Sequence, residues 1–145
     1  MNLQKDLREF IELLSALDVR FVVVGAFAVA FHGYPRYTSD IDLFVDNSAD
    51  NATLLVRAIE RFGFEIGLTV DDFTKPDQVV QLGVAPNRID LLPFISGVSF
   101  ADVWDSREQG DIGGVRVPFI SKEMLKRNKL ASGRLQDLAD VEHLG

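Results

Sequence analysis

The stretch that most constrains this chain runs from Phe21 to Asp46, FVVVGAFAVAFHGYPRYTSDIDLFVD, where a glycine turn and an aspartate pair sit at the ends of two apolar runs. Phe21 to Val24 is an aromatic and β-branched run that stops at Gly25, and AFAVAF leaves room for one or two helical turns before Gly33 and Pro35. Beyond them Ile41, Leu43 and Val45 alternate with Asp40, Asp42 and Phe44, a period of two that predicts a strand with one apolar face. Asp40 and Asp42 then share a side. At strand rise their Cα atoms lie roughly 6.5–7 Å apart, so both carboxylates can reach one hard cation, or a pair of ions about 3.5–4 Å apart. Aspartates also gather at turns and strand ends to hydrogen-bond backbone, and D-x-D alone leaves that structural reading open.

A third carboxylate lies further on. Val79 to Val84 predicts a strand, and after a turn at Pro86 and Asn87 the run RIDLLPF predicts its hairpin partner. Asp90, between Ile89 and Leu91, faces away from both and needs a partner in such an apolar strand: a metal, or one of Arg88 and Arg36.

The remaining segments read as scaffold. Leu3 to Leu17 has the three-and-four spacing of an amphipathic helix. A second helix runs from about Ala52 to Phe62, capped by Ser48 or Asp50 and closed by Gly63. Phe64 to Asp72 has room for a short strand, and Asp71, Asp72 and Asp77 sit among turn formers. Phe94 to Gly114 reads as loop with one helical piece near Phe100 to Trp104, Trp104 as a core plug, and VRVPFI as a last strand. Ser121 caps a closing region that Ser132–Gly133 divides into two helices. His32 reads as a helix-end residue and His143 as a surface residue, neither in a metal-ligand pattern. Neither a P-loop nor a G-x-G-x-x-G fingerprint is present.

Composition narrows the classes. With 145 residues, 47% hydrophobic and 26% charged, the chain reads as one globular domain over 1–145. It has no cysteine, so disulfides and thiolate zinc sites are excluded. No apolar run approaches a membrane span, and a polar N-terminus without an apolar leader points to a cytoplasmic protein with no membrane partner. A net charge of −7 argues against an extensive nucleic-acid surface.

The strand, glycine turn, short helix and D-x-D strand together resemble the nucleotidyltransferase superfamily that includes DNA polymerase beta. HGYPRYTSDIDLFVD is similar to small prokaryotic members tied to toxin–antitoxin and abortive-infection systems, with their G-x-x-R-x-T-x-D-[IL]-D pattern. Lys129, Leu130, Ala131, Arg134, Asp137, Leu138 and Asp140 resemble a C-terminal motif of the same proteins. The resemblance implies an α/β (α+β) fold, a mixed β-sheet packed against helices with C-terminal helices and the acidic site at the sheet edge. It implies Asp40, Asp42 and Asp90 as the catalytic, metal-binding triad for Mg²⁺ or Mn²⁺. Gly25, Ala26, Arg36, Thr38, Lys129 and Arg134 are implied to contact the nucleotide, with Lys129 meeting the triphosphate. The implied activity is transfer of a nucleoside monophosphate from an NTP such as ATP to a hydroxyl of an acceptor: RNA, a protein side chain or a small molecule. Ala26 departs from the pattern, since it stands where the family has Gly or Ser. The alternative is a non-catalytic module of the same fold that binds a protein partner, as an antitoxin does. Two other D-x-D classes, glycosyltransferases and haloacid-dehalogenase-type phosphatases, do not fit the glycine turn.

Overall fold

The computed structural model describes residues 5–35, 38, 40–64, 66–75, 78–83 and 88–145. Six strands form one mixed sheet in the order β3-β4-β2-β1-β6-β5. Its centre is the stretch that dominates the sequence: β1 (Phe21–Val24) runs antiparallel to β2 (Asp40–Val45), joined by the short helix α2 (Gly25–Phe31). β2 lies parallel to β4 (Arg88–Leu92), which pairs antiparallel with β3 (Val80–Leu82). On the other side β6 (Val115–Phe119) is parallel to β1 and antiparallel to β5 (Glu108–Ile112).

Local chemistry explains the helices. α1 (Lys5–Ala16) buries Leu7, Phe10, Ile11 and Leu14, the three-and-four stripe of its sequence. α3 (Ala49–Phe62) begins where Ser48 accepts a hydrogen bond from the Asn51 N–H, and ends at Gly63 with a left-handed φ of 107°. Phe10 meets Phe62 edge-on at 5.4 Å and so ties α1 to α3. Asn51 is buried: its side-chain oxygen accepts from the Arg20 N–H, and its NH₂ donates to the carbonyls of Arg20 and Asp46. That one amide joins the start of β1 to the end of β2.

Several expectations are corrected. The strand over 40–45 is covered on both faces, because Phe44, expected to alternate outward, packs edge-on against Phe100 of α4 (Phe100–Asp105) and is 2% exposed. β5 falls where loop was expected: EQGDI has no apolar alternation, and it is held by backbone pairing to β6 across Gly113 and Gly114, both left-handed. No strand forms over the described part of 64–72; Val70–Phe73 is a turn of 3₁₀ helix closed by reciprocal bonds between Thr69 and Asp72, with Phe73 buried. Trp104 is half-buried, with the Arg107 guanidinium 3.8 Å and that of Arg20 4.9 Å from its ring centre, so it is a platform for arginine and not a plug. The turn at Pro86 and Asn87, and Asp77, lie outside the described residues.

α5 (Lys122–Ser132) and α6 (Leu135–Leu144) meet at the break the sequence places there, with Gly133 left-handed at the end of α5. His32 donates from Nε2 to the Ile120 carbonyl at 2.7 Å, and His143 stacks on Tyr34. No described helix is long and apolar enough to cross a membrane.

Candidate active site

Strand register brings the three carboxylates together. Asp42 pairs with Asp90 on neighbouring parallel strands, and Asp40 pairs with Arg88 two residues before each. Residues two apart on a strand share a face, so all four side chains rise from the same patch of sheet. One oxygen from each of Asp40, Asp42 and Asp90 lies within 4.8 Å of the others. The site is not at the sheet edge as expected. β2 and β4 are interior strands, and the carboxylates stand at their beginnings.

Arg88 is the residue that sequence reasoning underrated. Its NH2 group donates to Asp40 at 2.6 Å, and its Nε and NH2 donate to the two Asp90 oxygens at 2.9 and 3.1 Å. The R-x-D spacing on a strand was the available signal, and of the two arginines weighed as partners for Asp90, Arg88 is the one that the described residues place against it.

Crowding sets the proton affinities. Burial first, then the neighbouring charges of Asp90 and Asp40, push the Asp42 carboxyl up to about 7. Asp90 is also raised by burial, against the hydrogen bonds from Arg88. Asp40 is likewise opposed by burial, but its bonds from Arg88 prevail and hold it below the usual carboxylate range. A cation entering this cluster therefore competes with a proton for Asp42 in the neutral range.

Gly25 makes the cluster possible. Its φ of 67° is left-handed, and a Cβ there would collide with the Asp42 carboxylate. The turn and the first aspartate strand are thus packed directly together, which accounts for glycine at the end of β1.

A cleft of about 420 Å³ opens in front of this patch. Asp40, Asp42, Gly25, Ala26 and Thr38 line one side of it, and Lys129, Arg134 and Asp137 line it from the C-terminal helices. Thr38 donates its hydroxyl to the Asp40 carbonyl at 2.9 Å. Asn128 and Gln136, which sequence reasoning did not single out, also line the cleft. Arg36 lies outside the described residues.

Lys129 departs from expectation. It is 5% exposed, with Nζ 3.0 Å from both Asp137 and Asp140, whose carboxylates are likewise buried. Arg134 donates from Nε to Asp137 at 2.7 Å while its side chain stays 78% exposed. Gln136 donates to Asp140 at 2.9 Å. Burial would raise the Asp137 carboxyl, but the bonds from Arg134 and Lys129 hold it below the usual range. Lys129 is therefore a buried brace between α5 and α6, and its removal cannot leave stability nearly unchanged.

Comparisons with known proteins agree with this fold. The chain resembles in fold the lincosamide antibiotic adenylyltransferase LnuA, solved with lincomycin bound, at TM-score 0.62 and 17% identity, covering 99% of this chain and 96% of that one. A nucleotidyltransferase structure from Thermotoga maritima matches at TM-score 0.64 and 18% identity, covering 94% and 88%. An antigenic nucleotidyltransferase-like protein from Paracoccidioides brasiliensis matches at TM-score 0.55 and 19% identity, covering 99% and 77%. The search of curated proteins gave no match. At the level of sequence, a family profile takes in residues 3–144, both flanks of the cleft included, and by that match the chain belongs to the family described as nucleotidyl transferase of unknown function (DUF2204).

Proposed function

We propose that this chain transfers a nucleoside monophosphate from an NTP to a hydroxyl of another molecule, with a divalent cation as cofactor. The observation that carries the reading is that Asp40 and Asp42, which line a cleft whose wall includes the Gly25 turn, each bring an oxygen within 4.8 Å of one on the buried Asp90. Three carboxylate oxygens this close form a hard donor set suited to Mg²⁺ or Mn²⁺. Asp40 and Asp42 would hold the ion that meets the triphosphate, and Asp90 a second. When bound, the ions supply charge stabilisation for the entering and leaving oxygens of an in-line displacement.

The chain's own residues do the rest. The acceptor oxygen bonds to the α-phosphorus as the bond from that phosphorus to the pyrophosphate oxygen breaks; pyrophosphate leaves with the electron pair, and the hydroxyl proton passes to Asp90. Gly25 and Ala26 let backbone approach the phosphates, and Thr38 steadies Asp40. Arg134, exposed at the cleft, is the cation placed to meet the nucleotide directly, while Lys129 acts from behind through Asp137. The acceptor class is open on this reading; LnuA was solved with a small antibiotic bound.

Ala26 favours one second reading, a non-catalytic partner-binding module such as an antitoxin, because the hydroxyl that would bond a phosphate is missing. Incubation with each α-labelled NTP, Mg²⁺ and cell lysate separates the two. Label transferred to one species, and lost with Asp42→Asn, supports transfer. Absence of label, with no Mg²⁺-dependent NTP binding, supports the second reading.

A further inference from the structure

Next to the cleft lies a second hollow, of about 590 Å³, that the nucleotide reading leaves unused. Phe94, Ile95, Val98, Phe100 and Trp104 form its apolar part, beside a polar part of similar extent that holds Arg20, Asp46 and Asp105. Its volume falls within the roughly 300–1,000 Å³ of small-molecule sites. Ile95 lines both hollows, so the two are contiguous. The shared sheet face makes the same point. Phe44 is two residues beyond Asp42 on β2, which puts them on one side at roughly 6.5–7 Å between Cα atoms.

We propose that this groove is the acceptor site, and that it takes a small molecule with an apolar ring, a basic amine and the reacting hydroxyl. The assignment as acceptor site rests on the nucleotidyl-transfer reading; the ligand chemistry rests on the groove. The cleft on the other side of Ile95 carries the polar side chains suited to a nucleotide, Asn128, Ser132, Arg134 and Gln136, which leaves the aromatic hollow to the second substrate. Rim charge selects the amine. Arg20 at the rim already faces Asp46 at 3.4 Å and also lies over Trp104, whereas Asp105 has no cation at ion-pair distance among the described residues. An apolar hollow edged by an unneutralised carboxylate is complementary to a protonated amine, and the chain's net charge of −7 draws cations toward it. A ring seated against Phe94 and Phe100 would lie on the face of the sheet from which Asp42 rises, with its hydroxyl directed past Ile95 toward that carboxylate.

Trp104 is the chain's one tryptophan and lines the groove, so its emission responds to a ligand seated there. Two probes share a phenyl ring and a benzylic hydroxyl but carry opposite charge: phenylethanolamine and mandelate. The expected result is saturable change in Trp104 emission with phenylethanolamine, undisturbed by saturating Mg²⁺ and ATP, and none with mandelate. Asp105→Asn should weaken phenylethanolamine about tenfold and leave calorimetric binding of Mg²⁺–ATP as in the parent. Equal or tighter binding of mandelate overturns the proposal, as does an unchanged affinity in Asp105→Asn. Competition by ATP overturns it too, because the groove would then hold the base. If Mg²⁺–ATP fails to bind while phenylethanolamine still does, the transfer reading falls and the acceptor role with it; if ATP binds and phenylethanolamine does not, the groove proposal alone falls.

Discussion

Two acidic clusters line the same cleft and hold their charge in opposite ways. On α5 and α6, two buried carboxylates, Asp137 and Asp140, meet the cations Lys129 and Arg134. On β2 and β4, three carboxylates converge and Arg88 is the cation that the described residues place among them. The first cluster is electrically complete, which is what a structural brace requires. In the second, the described residues set one cation against three carboxylates, and the members differ: Asp42 is driven up to about 7 by burial and by the charges of Asp90 and Asp40, whereas Asp137 in the first is held low. On the proposed function, Asp42 is the carboxylate whose proton an incoming cation would replace.

The sharpest way to break this contrast is to remove the brace. Lys129→Ala leaves two buried carboxylates short of their shared partner, and loss of one member of a buried ion pair costs about 3–5 kcal/mol. Urea unfolding should show that loss with or without Mg²⁺. A cost under about 1 kcal/mol would mean that the ammonium is not held between Asp137 and Asp140, and that the two clusters do not differ as described.

Asp42→Asn should behave in the opposite way. It relieves repulsion at nearly constant volume, so in EDTA its Tm should equal or exceed the parent's. The parent should gain about 2.7 kcal/mol at a hundred times the dissociation constant of Mg²⁺ plus NTP, and the variant should lose most of that gain. A lower Tm in EDTA, with no response of the parent to Mg²⁺ and any NTP, would make Asp42 a structural aspartate like Asp137.

Titration separates the clusters without any variant. Asp42's carboxyl is raised in the fold, so the folded state holds that proton more tightly than the unfolded chain. Its stabilising contribution is full below the ordinary carboxylate range and disappears as pH rises through about 7. Asp137's carboxyl is depressed, so its contribution is present at neutral pH and disappears as pH falls below the ordinary range. Metal-free protein should therefore lose Tm between about pH 4 and pH 7, and Asp42→Asn should flatten that slope while keeping the acid limb. An unchanged slope in the variant would assign the neutral-range titration to another group.

The sequence showed the first cluster's residues and the second's for different reasons. The acidic triad was legible because strand periodicity is two, so D-x-D and the lone acid of Ile89–Asp90–Leu91 fix which way each carboxylate points. Their meeting depends on β4 pairing parallel to β2, which no local pattern encodes. The burial of Lys129 was not legible, because helical spacing places a lysine on a face without saying what covers it. The covering group, Asp137, comes from the next helix across the Gly133 turn. β5 was missed because an edge strand needs backbone pairing and little side-chain burial: within EQGDI only Ile112 is buried. The helix ends were more legible, since Ser48, Ser121, Gly63 and Gly133 act through local hydrogen bonds and dihedral angles, although α3 starts at Ala49, ahead of the expected Ala52.

The smallest expected effect concerns Ala26, the position that departs from the family pattern. It lines the cleft immediately after Gly25, on the side of the triad and opposite the brace. A serine there adds a donor without changing the turn's φ, since Gly25 and not Ala26 has the left-handed angle. Serine is a slightly poorer helix former than alanine, so Ala26→Ser should cost no more than about 0.5 kcal/mol of stability in the free protein. If the triphosphate lies against the Gly25 turn, the hydroxyl gains one hydrogen bond worth about 0.5–1.5 kcal/mol, which is about a two- to tenfold tighter binding of Mg²⁺–NTP by calorimetry. Ser132→Ala, at the end of α5 on the far wall, is the control, because it removes a hydroxyl from the side of the cleft that the brace supports. Tighter binding in the first variant and little change in the second would place the phosphates on the triad side. Weaker binding in Ser132→Ala with no gain in Ala26→Ser would move them to the helices, away from the raised carboxyl of Asp42.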